Sequence, residues 1–184
     1  GTVSIKGQPV TINNVQDSIE HGMVMVSEDR KRYGIIPVRD CKENISLSSL
    51  EKVRNLFGID HRKERQRDTE ISKRMNVKTP SLETLISSLS GGNQQKIVIA
   101  KWLLCSPEIL LLDEPTRGID VGAKFEIYKL ITELAAEGKA VLMISSEMEE
   151  LIGVCDRIYV MAKGRISGEL ARKDFSQENI MKLA

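Results

Sequence analysis

The sequence predicts an α/β fold with a mainly parallel sheet. The first observation is a set of short apolar runs with the length of buried strands, at residues 23–26, 109–112 and 140–144. The second is that segments of helical periodicity stand between such runs, as at residues 121–137, where Gly138 provides a helix end. Because strands that alternate with helices are joined by crossover connections, we expect neighbouring strands to run in the same direction.

The composition argues against several classes of protein. The chain has 184 residues, enough for one domain with a proper core and a subdomain. Hydrophobic residues make up 41% and charged residues 29%, an ordinary balance for a globular domain. The formal net charge of +1 and the aromatic content of 4% do not favour a nucleic-acid surface. No apolar run approaches the length that spans a bilayer.

The cysteines and histidines do not indicate a disulfide or metal framework. Cys41, Cys105 and Cys155 are far apart and form no C-x-x-C pair. An odd number of separated cysteines fits a reducing cytosol better than a disulfide scaffold. His21 and His61 lack ligand spacing with them, so we expect no zinc-type site.

The N-terminal elements follow from alternation and capping residues. Residues 1–7 alternate apolar with small or polar side chains, which predicts a strand. Asn14 can cap a helix that runs to Glu20 and ends at the following His-Gly pair. After the strand at 23–26, the charged residues 27–34 predict a loop.

Polar helix formers with scattered leucine and isoleucine fill residues 40–89 and indicate a region of helices. The charge run at 61–68 carries both signs, so we interpret it as a solvated helix face and not as a binding tract. Pro80 interrupts the helical pattern, and Ser81 could cap a short helix after it.

The C-terminal half continues the alternation of helices and strands. A helix is expected at 93–104, with these residues available for burial: Ile97, Val98, Trp102 and Leu103. The helix at 121–137 is expected to carry one buried stripe, formed by Phe125, Tyr128, Ile131 and Leu134. The apolar run at 140–144 predicts a buried strand. A short helix at 148–152 and a hairpin of strands at 157–161 and 165–170 complete the prediction.

A candidate anion site precedes the helix at 93–104. Ser90, Gly91 and Gly92 stand at its N-terminus, where free backbone N–H groups and the helix dipole favour a negative charge. The glycines would let the backbone approach a phosphate, and the Ser90 hydroxyl could bind the phosphate or cap the helix. A plain serine cap with a glycine turn explains the triplet alone; the longer run 89–96, followed by Asp-Glu-Pro-Thr, favours the anion site.

Two adjacent carboxylates follow the apolar run at 109–112. Asp113 ends the predicted strand, which is where α/β folds place their ligand chemistry. Glu114 is expected to point to the other face, where it could polarise a water molecule as a general base. A turn before Pro115 is the alternative. We favour a functional pair, because adjacent carboxylates after a buried strand are costly without a use.

The motifs together closely resemble those of one family of proteins. The segments that carry the resemblance are residues 26–32, 89–96, 113–124 and 145–148. They are similar to the second, C-terminal cassette of the fused tandem ABC (ATP-binding cassette) ATPases that drive bacterial monosaccharide importers for ribose, galactose/methyl galactoside, xylose and arabinose. Residues 102–104 and 124–128 look most like the galactose/methyl-galactoside member.

The resemblance implies the architecture and its division. It implies part of a P-loop NTPase (ABC ATPase) core, formed by residues 1–34 and 105–184, and an α-helical subdomain at 35–104 that includes the signature helix. The chain does not contain G-x-x-x-x-G-K-[S/T], the loop that cradles phosphates in such ATPases. We therefore expect an N-truncated nucleotide-binding domain that is inactive alone.

The resemblance also assigns the candidate site residues. The implied nucleotide-binding positions are Ser90, Gly91, Gly92, Gln94, Asp113, Asp120, Glu28 and Ser146. Asp113 would hold Mg²⁺, Glu114 would be the catalytic base, and Asp120 would contact the partner cassette. Glu28 stands where a glutamine usually senses the γ-phosphate, so a solvated loop residue is an equal alternative. Ser146 stands where most cassettes have a histidine, and a hydroxyl lacks the reach of imidazole.

Cofactors and partners follow from the same resemblance. The complete protein would use ATP and Mg²⁺ and would pair this cassette with the N-terminal cassette of the same chain. It would dock on a transmembrane permease at the cytoplasmic face of the inner membrane, as a peripheral subunit, and would serve a periplasmic-type sugar-binding protein indirectly. No nucleic-acid partner is expected. One alternative is a non-catalytic docking half. A DNA-repair ATPase is another, which the lack of a sustained heptad repeat disfavours.

Overall fold

The computed structural model describes all 184 residues. The strands are β1 (Val3–Ile5), β2 (Gln8–Val10), β3 (Met23–Val26), β4 (Arg54–Asn55), β5 (Gly58–Ile59), β6 (Ile109–Asp113), β7 (Ala140–Ile144), β8 (Arg157–Ala162) and β9 (Arg165–Ala171). The α-helices are α1 (Val15–Glu20), α2 (Cys41–Ser46), α3 (His61–Arg74), α4 (Gly91–Leu103), α5 (Val121–Ala136), α6 (Met148–Val154) and α7 (Gln177–Leu183). Turns of 3₁₀ helix cover Leu47–Val53, Ile86–Ser88 and Arg172–Asp174, and a π-helical segment covers Arg30–Gly34.

The central sheet has three parallel strands in the order β3-β6-β7, which confirms the predicted parallel α/β fold. The register places Val24 beside Leu110 and Leu110 beside Val141. Because the strands are parallel, their carboxyl ends lie at one edge of the sheet. That edge carries the residues that follow Val26, Asp113 and Ile144, so the fold brings the predicted polar positions together.

The main core lies between one face of this sheet and helices α4 and α5. The sheet contributes Val24, Val26, Leu110 and Leu112, all at most 3% exposed. The helices contribute Ile97, Val98, Ile99, Ala100, Leu103, Ile127, Leu130, Ile131 and Leu134. Each fully buried aliphatic side chain contributes about 1.5–3 kcal/mol, so this layer holds the sheet edge in place.

Helix α4 is buried on nearly all sides, and its burial includes two lysines. The Lys101 ammonium donates to the carbonyl of Gly34 over 2.6 Å, at the end of the π-helical segment. Lys96 donates to the carbonyl of Asn76 over 2.8 Å and pairs with Glu126 on α5. Burial lowers the pKa of Lys101. These bonds satisfy the buried cations and tie α4 to three other segments.

The region between the π-helical segment and α4 is largely helical, as predicted for residues 40–89. Asp40 caps α2 through a reciprocal pair of hydrogen bonds with Glu43, and Asp60 caps α3. The short antiparallel hairpin β4-β5 lies between these helices and was not predicted. The two-part division at residues 35–104 remains a prediction.

Two N-terminal predictions are wrong in detail. Residues 1–7 do not form one strand, because Lys6 and Gly7 adopt positive φ angles of 52° and 77° and turn the chain into the hairpin β1-β2. The predicted loop at 27–34 contains the π-helical segment, which begins where the Asp29 side chain accepts a hydrogen bond from the Arg32 N–H. This cap could not be distinguished from an ordinary charged loop by composition.

The boundaries near the anion-site motif also differ from the prediction. Helix α4 begins at Gly91 and not at 93, because Ser90 is the residue that caps it. Ser81 caps no helix; its hydroxyl accepts the Glu83 N–H within a turn.

The stripe predicted on α5 is partly wrong. Phe125 is 67% exposed, and the buried face runs through Ile127, Leu130, Ile131 and Leu134. Those positions follow the helical spacing i, i+3, i+4, i+7. Tyr128 is half-buried because its hydroxyl reaches a buried carboxylate on α6.

The strand predicted at 140–144 is confirmed as β7, but its predicted burial is wrong: β7 is an edge strand, and only one of its faces is covered. Leu142 and Ile144 are 52% and 49% exposed on the sheet face opposite the main core. A continuous apolar run cannot by itself reveal which face of a strand is covered.

The C-terminal hairpin β8-β9 is confirmed and packs with α6 and α7 around a second, smaller core. Ile158, Val160 and Ile180 form its centre. Helix α6 extends two residues beyond the predicted end at 152. None of the helices combines the length and apolar character that crossing a membrane requires.

Candidate functional site

The carboxyl ends of β6 and β7 hold Glu114 from two sides. Its backbone N–H donates to the carbonyl of Ile144 over 2.9 Å. Its side-chain Oε1 accepts the backbone N–H of Ser146 over 2.8 Å. Glu114 also has a φ of 44°, in the left-handed region that costs a residue other than glycine about 1–3 kcal/mol. The surrounding hydrogen bonds hold this residue in a strained conformation, which is typical of functional positions.

Asp113 is half-buried at the end of β6, immediately before the strained residue. Mg²⁺ that binds together with a nucleotide needs only one or two protein carboxylates, because phosphate and water oxygens supply its other ligands. A single carboxylate at the strand end fits that requirement. The chain has no group of three or more His, Cys, Asp or Glu side chains that could hold a metal alone.

Ser146 is exposed in the loop between β7 and α6. Its contribution in the structure is its backbone N–H, which donates to Glu114. The preceding Ser145 is partly buried, and its hydroxyl accepts the Glu147 N–H over 3.0 Å while donating to Glu150 over 2.9 Å. The position predicted to contact a phosphate is therefore fixed mainly through its neighbours.

Glu28, beyond the end of β3, is joined to the segment that follows β6. Its carboxylate forms an ion pair with Arg117. The Arg30 guanidinium donates to the carbonyl of Arg117 over 2.9 Å and to that of Gly118 over 3.3 Å. Burial lowers the pKa of Arg30. The third strand end is thus linked to the segment after β6, while the Glu28 side chain itself remains 47% exposed.

The N-terminus of α4 shows the predicted cap. The Ser90 hydroxyl accepts the Asn93 side-chain amide over 2.9 Å and the Asn93 backbone N–H at the longer distance of 3.5 Å. Gln94 is buried and donates to the carbonyls of Ile86 and Leu89 over 3.2 and 3.1 Å. The serine is therefore open to solvent, whereas the glutamine amide is committed to internal hydrogen bonds.

The two glycines of this motif have a packing role in the structure. A Cβ on Gly92 would lie 2.4 Å from the Cβ of Ala123, and a Cβ on Gly91 would lie 2.7 Å from Arg30 Nη2. The Gly92 distance leaves no room for a side chain between α4 and α5, whereas at Gly91 the flexible end of Arg30 would have to move. Close helix packing is a second reason for these glycines, beside the predicted approach to a phosphate.

Asp120 caps α5, and its Oδ1 accepts the Ala123 N–H over 3.0 Å. Because Ala123 also contacts Gly92, the N-termini of α4 and α5 are neighbours. The fold therefore arranges the predicted residues in two adjoining groups. The strand-end group contains Asp113, Glu114, Ser146 and Glu28, and the helix-end group contains Ser90, Gly91, Gly92, Gln94 and Asp120.

Sequence reasoning missed three residues that organise these groups. Arg30 donates to the carbonyls of Arg117 and Gly118 and lies where a side chain on Gly91 would project, yet in the sequence it is one of several consecutive charges. Glu150 is buried beside the strand-end group, yet it reads as one of several acids opening a solvated helix. Thr116 is 1% exposed, and its hydroxyl donates to Glu150. Only the long-range contacts reveal them.

Comparison with known proteins agrees with this geometry. The family described as ABC transporter matches residues 1–117. The chain belongs to the ABC transporter family. The ribose import ATP-binding protein of Clostridium perfringens (strain 13 / Type A) is 53% identical over 185 residues, covering 100% of this chain and 37% of that protein. The xylose import ATP-binding protein of Geobacillus kaustophilus (strain HTA426) is 54% identical over 184 residues, covering 100% of this chain and 36% of that protein.

A third relative of this ABC transporter chain is the galactose/methyl galactoside import ATP-binding protein of Shigella boydii serotype 4 (strain Sb227). It is 48% identical over 185 residues, covering 100% of this chain and 37% of that protein. The chain therefore spans little more than a third of the length of these curated relatives.

Solved structures show that the fold is that of ABC ATPases. The ATP-binding cassette MJ0796, in a post-hydrolysis dimer with ADP and phosphate, superposes with a TM-score of 0.77 at 23% identity, covering 95% of this chain and 75% of that one. CbiO1 from Clostridium perfringens, part of an ABC transporter complex, gives a TM-score of 0.75 at 21% identity, covering 97% of this chain and 69% of that one.

Proposed function

We propose that this chain is the C-terminal nucleotide-binding cassette of an ATPase subunit that couples ATP hydrolysis to monosaccharide import across a bacterial inner membrane. The observation that carries the proposal is the strand-end pair of Asp113 and Glu114, whose second member is held by the Ser146 N–H. The relatives named for ribose, xylose and galactose import support the class of transported molecule. Within that class we propose galactose/methyl galactoside or ribose.

The proposed division of the chain follows the sequence. Residues 1–34 and 105–184 form the ATPase core, and residues 35–104 form the helical subdomain. The remaining partners are the N-terminal cassette of the same longer chain, a transmembrane permease and, indirectly, a periplasmic-type sugar-binding protein. The subunit would lie at the cytoplasmic face of the membrane, as a peripheral protein.

The residues present fit ATP and Mg²⁺ in the complete protein. Asp113 would hold the metal, whose chemistry is to neutralise charge on the phosphate oxygens. The backbone N–H groups at Ser90, Gly91 and Gly92 would donate to a phosphate of the nucleotide that the first cassette holds. Gln94 would support that helix end from inside, and Asp120 would contact the partner cassette.

The Glu114 carboxylate would orient the attacking water and accept its proton. One oxygen of this carboxylate already accepts the Ser146 N–H, which leaves the other oxygen for the water. The hydrogen bond from Ser146 restrains the Glu114 side chain, so the base is held in place before substrate binds. Glu28 and Ser146 would line the site at the ends of β3 and β7.

The experiment compares ATP hydrolysis by three proteins: the full-length ATPase, its Glu114→Gln variant and the 184-residue chain alone. We expect the glutamine variant to lose about 100-fold or more in rate, since general bases contribute about 10²–10⁴-fold. The chain alone is expected to show no hydrolysis above buffer, because it lacks the phosphate-cradling motif. Glu133→Gln, on the exposed face of α5, is the matched control.

A second candidate is a non-catalytic half that docks and dimerises with a competent cassette. Two observations favour it: Ser146 contributes only a backbone N–H, and the Glu28 carboxylate is paired with Arg117. The same experiment separates the candidates. If hydrolysis by full-length Glu114→Gln equals that of the Glu133→Gln control, this site does no chemistry and the docking role replaces our proposal.

A further inference from the structure

A buried carboxylate that the proposed chemistry does not use lies behind the strand-end group. Glu150 is 4% exposed. Its Oε1 accepts hydrogen bonds from the hydroxyls of Thr116 (2.5 Å) and Tyr128 (2.7 Å) and from the Lys124 ammonium (3.2 Å). Its Oε2 accepts the Ser145 hydroxyl over 2.9 Å. Four donors from other segments therefore converge on one side chain.

The environment keeps this carboxylate ionised. Burial alone raises the pKa of Glu150, but the hydrogen bonds from Thr116, Tyr128, Ser145 and Lys124 outweigh it and hold the pKa below its ordinary value. A buried charge with all its acceptors used is strongly fixed in position. Glu150 can therefore act as a rigid reference point for the segments that donate to it.

Two of those donors lie on segments next to Glu114. Thr116 lies two residues after it, in the segment that follows β6. Ser145 lies immediately before Ser146, whose backbone N–H donates to Glu114 Oε1 over 2.8 Å. Glu150 Oε1 thus holds the segment that carries the Glu114 backbone, and Oε2 holds the residue before the one whose N–H bonds the Glu114 side chain.

We propose that Glu150 is a positioning residue for Glu114, acting through Ser145 on one oxygen and Thr116 on the other. The inference rests on the proposed function, in which Glu114 is the base. A residue with a purely structural role would stabilise the fold without affecting the orientation of the Glu114 side chain. The two roles differ in what they predict for catalysis.

The main test uses Glu150→Gln in the full-length ATPase. The amide keeps the shape but has one acceptor oxygen in place of two, so the hydroxyl of Thr116 or Ser145 that faces the NH2 group loses the acceptor for its proton and its hydrogen bond must reverse. We expect the maximal hydrolysis rate to fall about 10–100-fold, the size of effect found for hydrogen-bond partners that orient metal ligands. The Mg-ATP concentration at half-maximal rate should change by less than about twofold, because no nucleotide contact is altered.

Two further variants protect the test against a simple folding defect. Glu149→Gln changes the neighbouring exposed acid on the same helix and should leave the rate unchanged. Ser145→Ala removes one hydroxyl and leaves the buried charge in place. We expect it to lower the maximal rate about tenfold. The double variant Glu150→Gln/Ser145→Ala should be no slower than Glu150→Gln alone, because both changes act on the same hydrogen bond between Glu150 and Ser145.

A measurement on the 184-residue chain reports the position directly. The Ser146 amide proton, hydrogen-bonded to a carboxylate, should shift in the NMR spectrum of Glu150→Gln in the same direction as in Glu114→Gln. The Leu112 amide in the sheet serves as the internal control. Coincident shifts at Ser146 with an unchanged Leu112 support the positioning role, and an unchanged Ser146 signal overturns it.

The outcomes separate this inference from the proposed function. If Glu114→Gln hydrolyses ATP at the control rate, the assignment of the base fails. If Glu114→Gln is inactive while Glu150→Gln and Ser145→Ala match the Glu149→Gln control, only the positioning role fails. Equal changes in maximal rate and half-saturating Mg-ATP, with Ser145→Ala unaffected, would indicate a purely structural role and would also overturn the inference.

Discussion

Two buried carboxylates, one beside the strand-end group and one in the helical region, differ in how they are satisfied. Glu150 on α6 is 4% exposed and accepts four hydrogen bonds, divided between its two oxygens. Asp68 on α3 is 0% exposed, and only its Oδ1 has partners, both on the Arg67 guanidinium. Its Oδ2 has no hydrogen-bond partner. The same chemical group is thus fully paired in one region and half paired in the other.

This difference sets opposite pH responses. Burial raises the pKa of Asp68 to about 6, with the Arg67 charge only partly opposing the shift. For Glu150, hydrogen bonds outweigh burial and lower the pKa. Linkage then requires that Glu150 contributes stability above its ordinary pKa that is lost in acid, whereas the Asp68 contribution is present in acid and is lost as the pH rises from about 4 to 6. The number of donors, and not burial, decides which state is favoured.

The largest expected effect comes from removing the fully paired carboxylate. Glu150→Ala leaves four donors, one of them the Lys124 ammonium, without their common acceptor. We expect the free energy of unfolding to fall by about 3–5 kcal/mol at neutral pH. Urea unfolding of the 184-residue chain measures this loss, with Glu149→Ala as the exposed control on the same helix. A loss within 1 kcal/mol of the control, roughly the worth of one hydrogen bond, would contradict the account of Glu150.

An intermediate effect, with a distinct pH dependence, is expected for Asp68→Asn. The amide carries no charge that burial can penalise, so the variant should gain about 1–2 kcal/mol relative to the parent as the pH rises from about 4 to 6. Above about pH 6 the difference should become constant. Unfolding by urea across this range tests it, with Glu70→Gln on the exposed face of α3 as the control. If the difference in unfolding free energy between variant and parent does not change from pH 4 to 7, the pKa of Asp68 is not raised.

The smallest expected effect comes from removing one donor of the four. Tyr128→Phe deletes the hydroxyl that donates to Glu150 over 2.7 Å and leaves the ring in place. We expect a loss of about 1 kcal/mol in unfolding free energy, because three donors remain. Tyr159→Phe, at a half-exposed position on β8, is the control. A loss of unfolding free energy as large as that of Glu150→Ala would mean that the Tyr128 hydroxyl alone accounts for the stabilisation by Glu150.

The sequence predicted those parts of the fold that depend on local pattern. The strands at 23–26, 109–112 and 140–144 and the helix α5 follow from apolar runs and periodicity. The π-helical segment Arg30–Gly34 could not be predicted, because its contacts are with residues 117 and 118, far along the chain. The exposed face of β7 was missed because an apolar run does not report what covers it.

The candidate site divides in the same way. Ser90, Asp113 and Glu114 could be selected from the sequence, because a glycine turn before a helix and adjacent acids after a strand are local features. Glu150 could not, since its donors lie on three separate segments: after β6, on α5 and after β7. A buried acid in the first turn of a helix has the same sequence pattern as an exposed one, until the partners are known.

The close approach of Gly92 to Ala123 also limits how α4 can move. A Cβ added at Gly92 would lie 2.4 Å from the Ala123 Cβ, so no side chain fits between the two helices at this point. A rotation of α4 that carried Asn93 into the place of Gly92 would force the two helices apart. The starts of α4 and α5 are therefore in direct contact, so a movement that brought Ser90 closer to α5 would have to displace Asp120 as well.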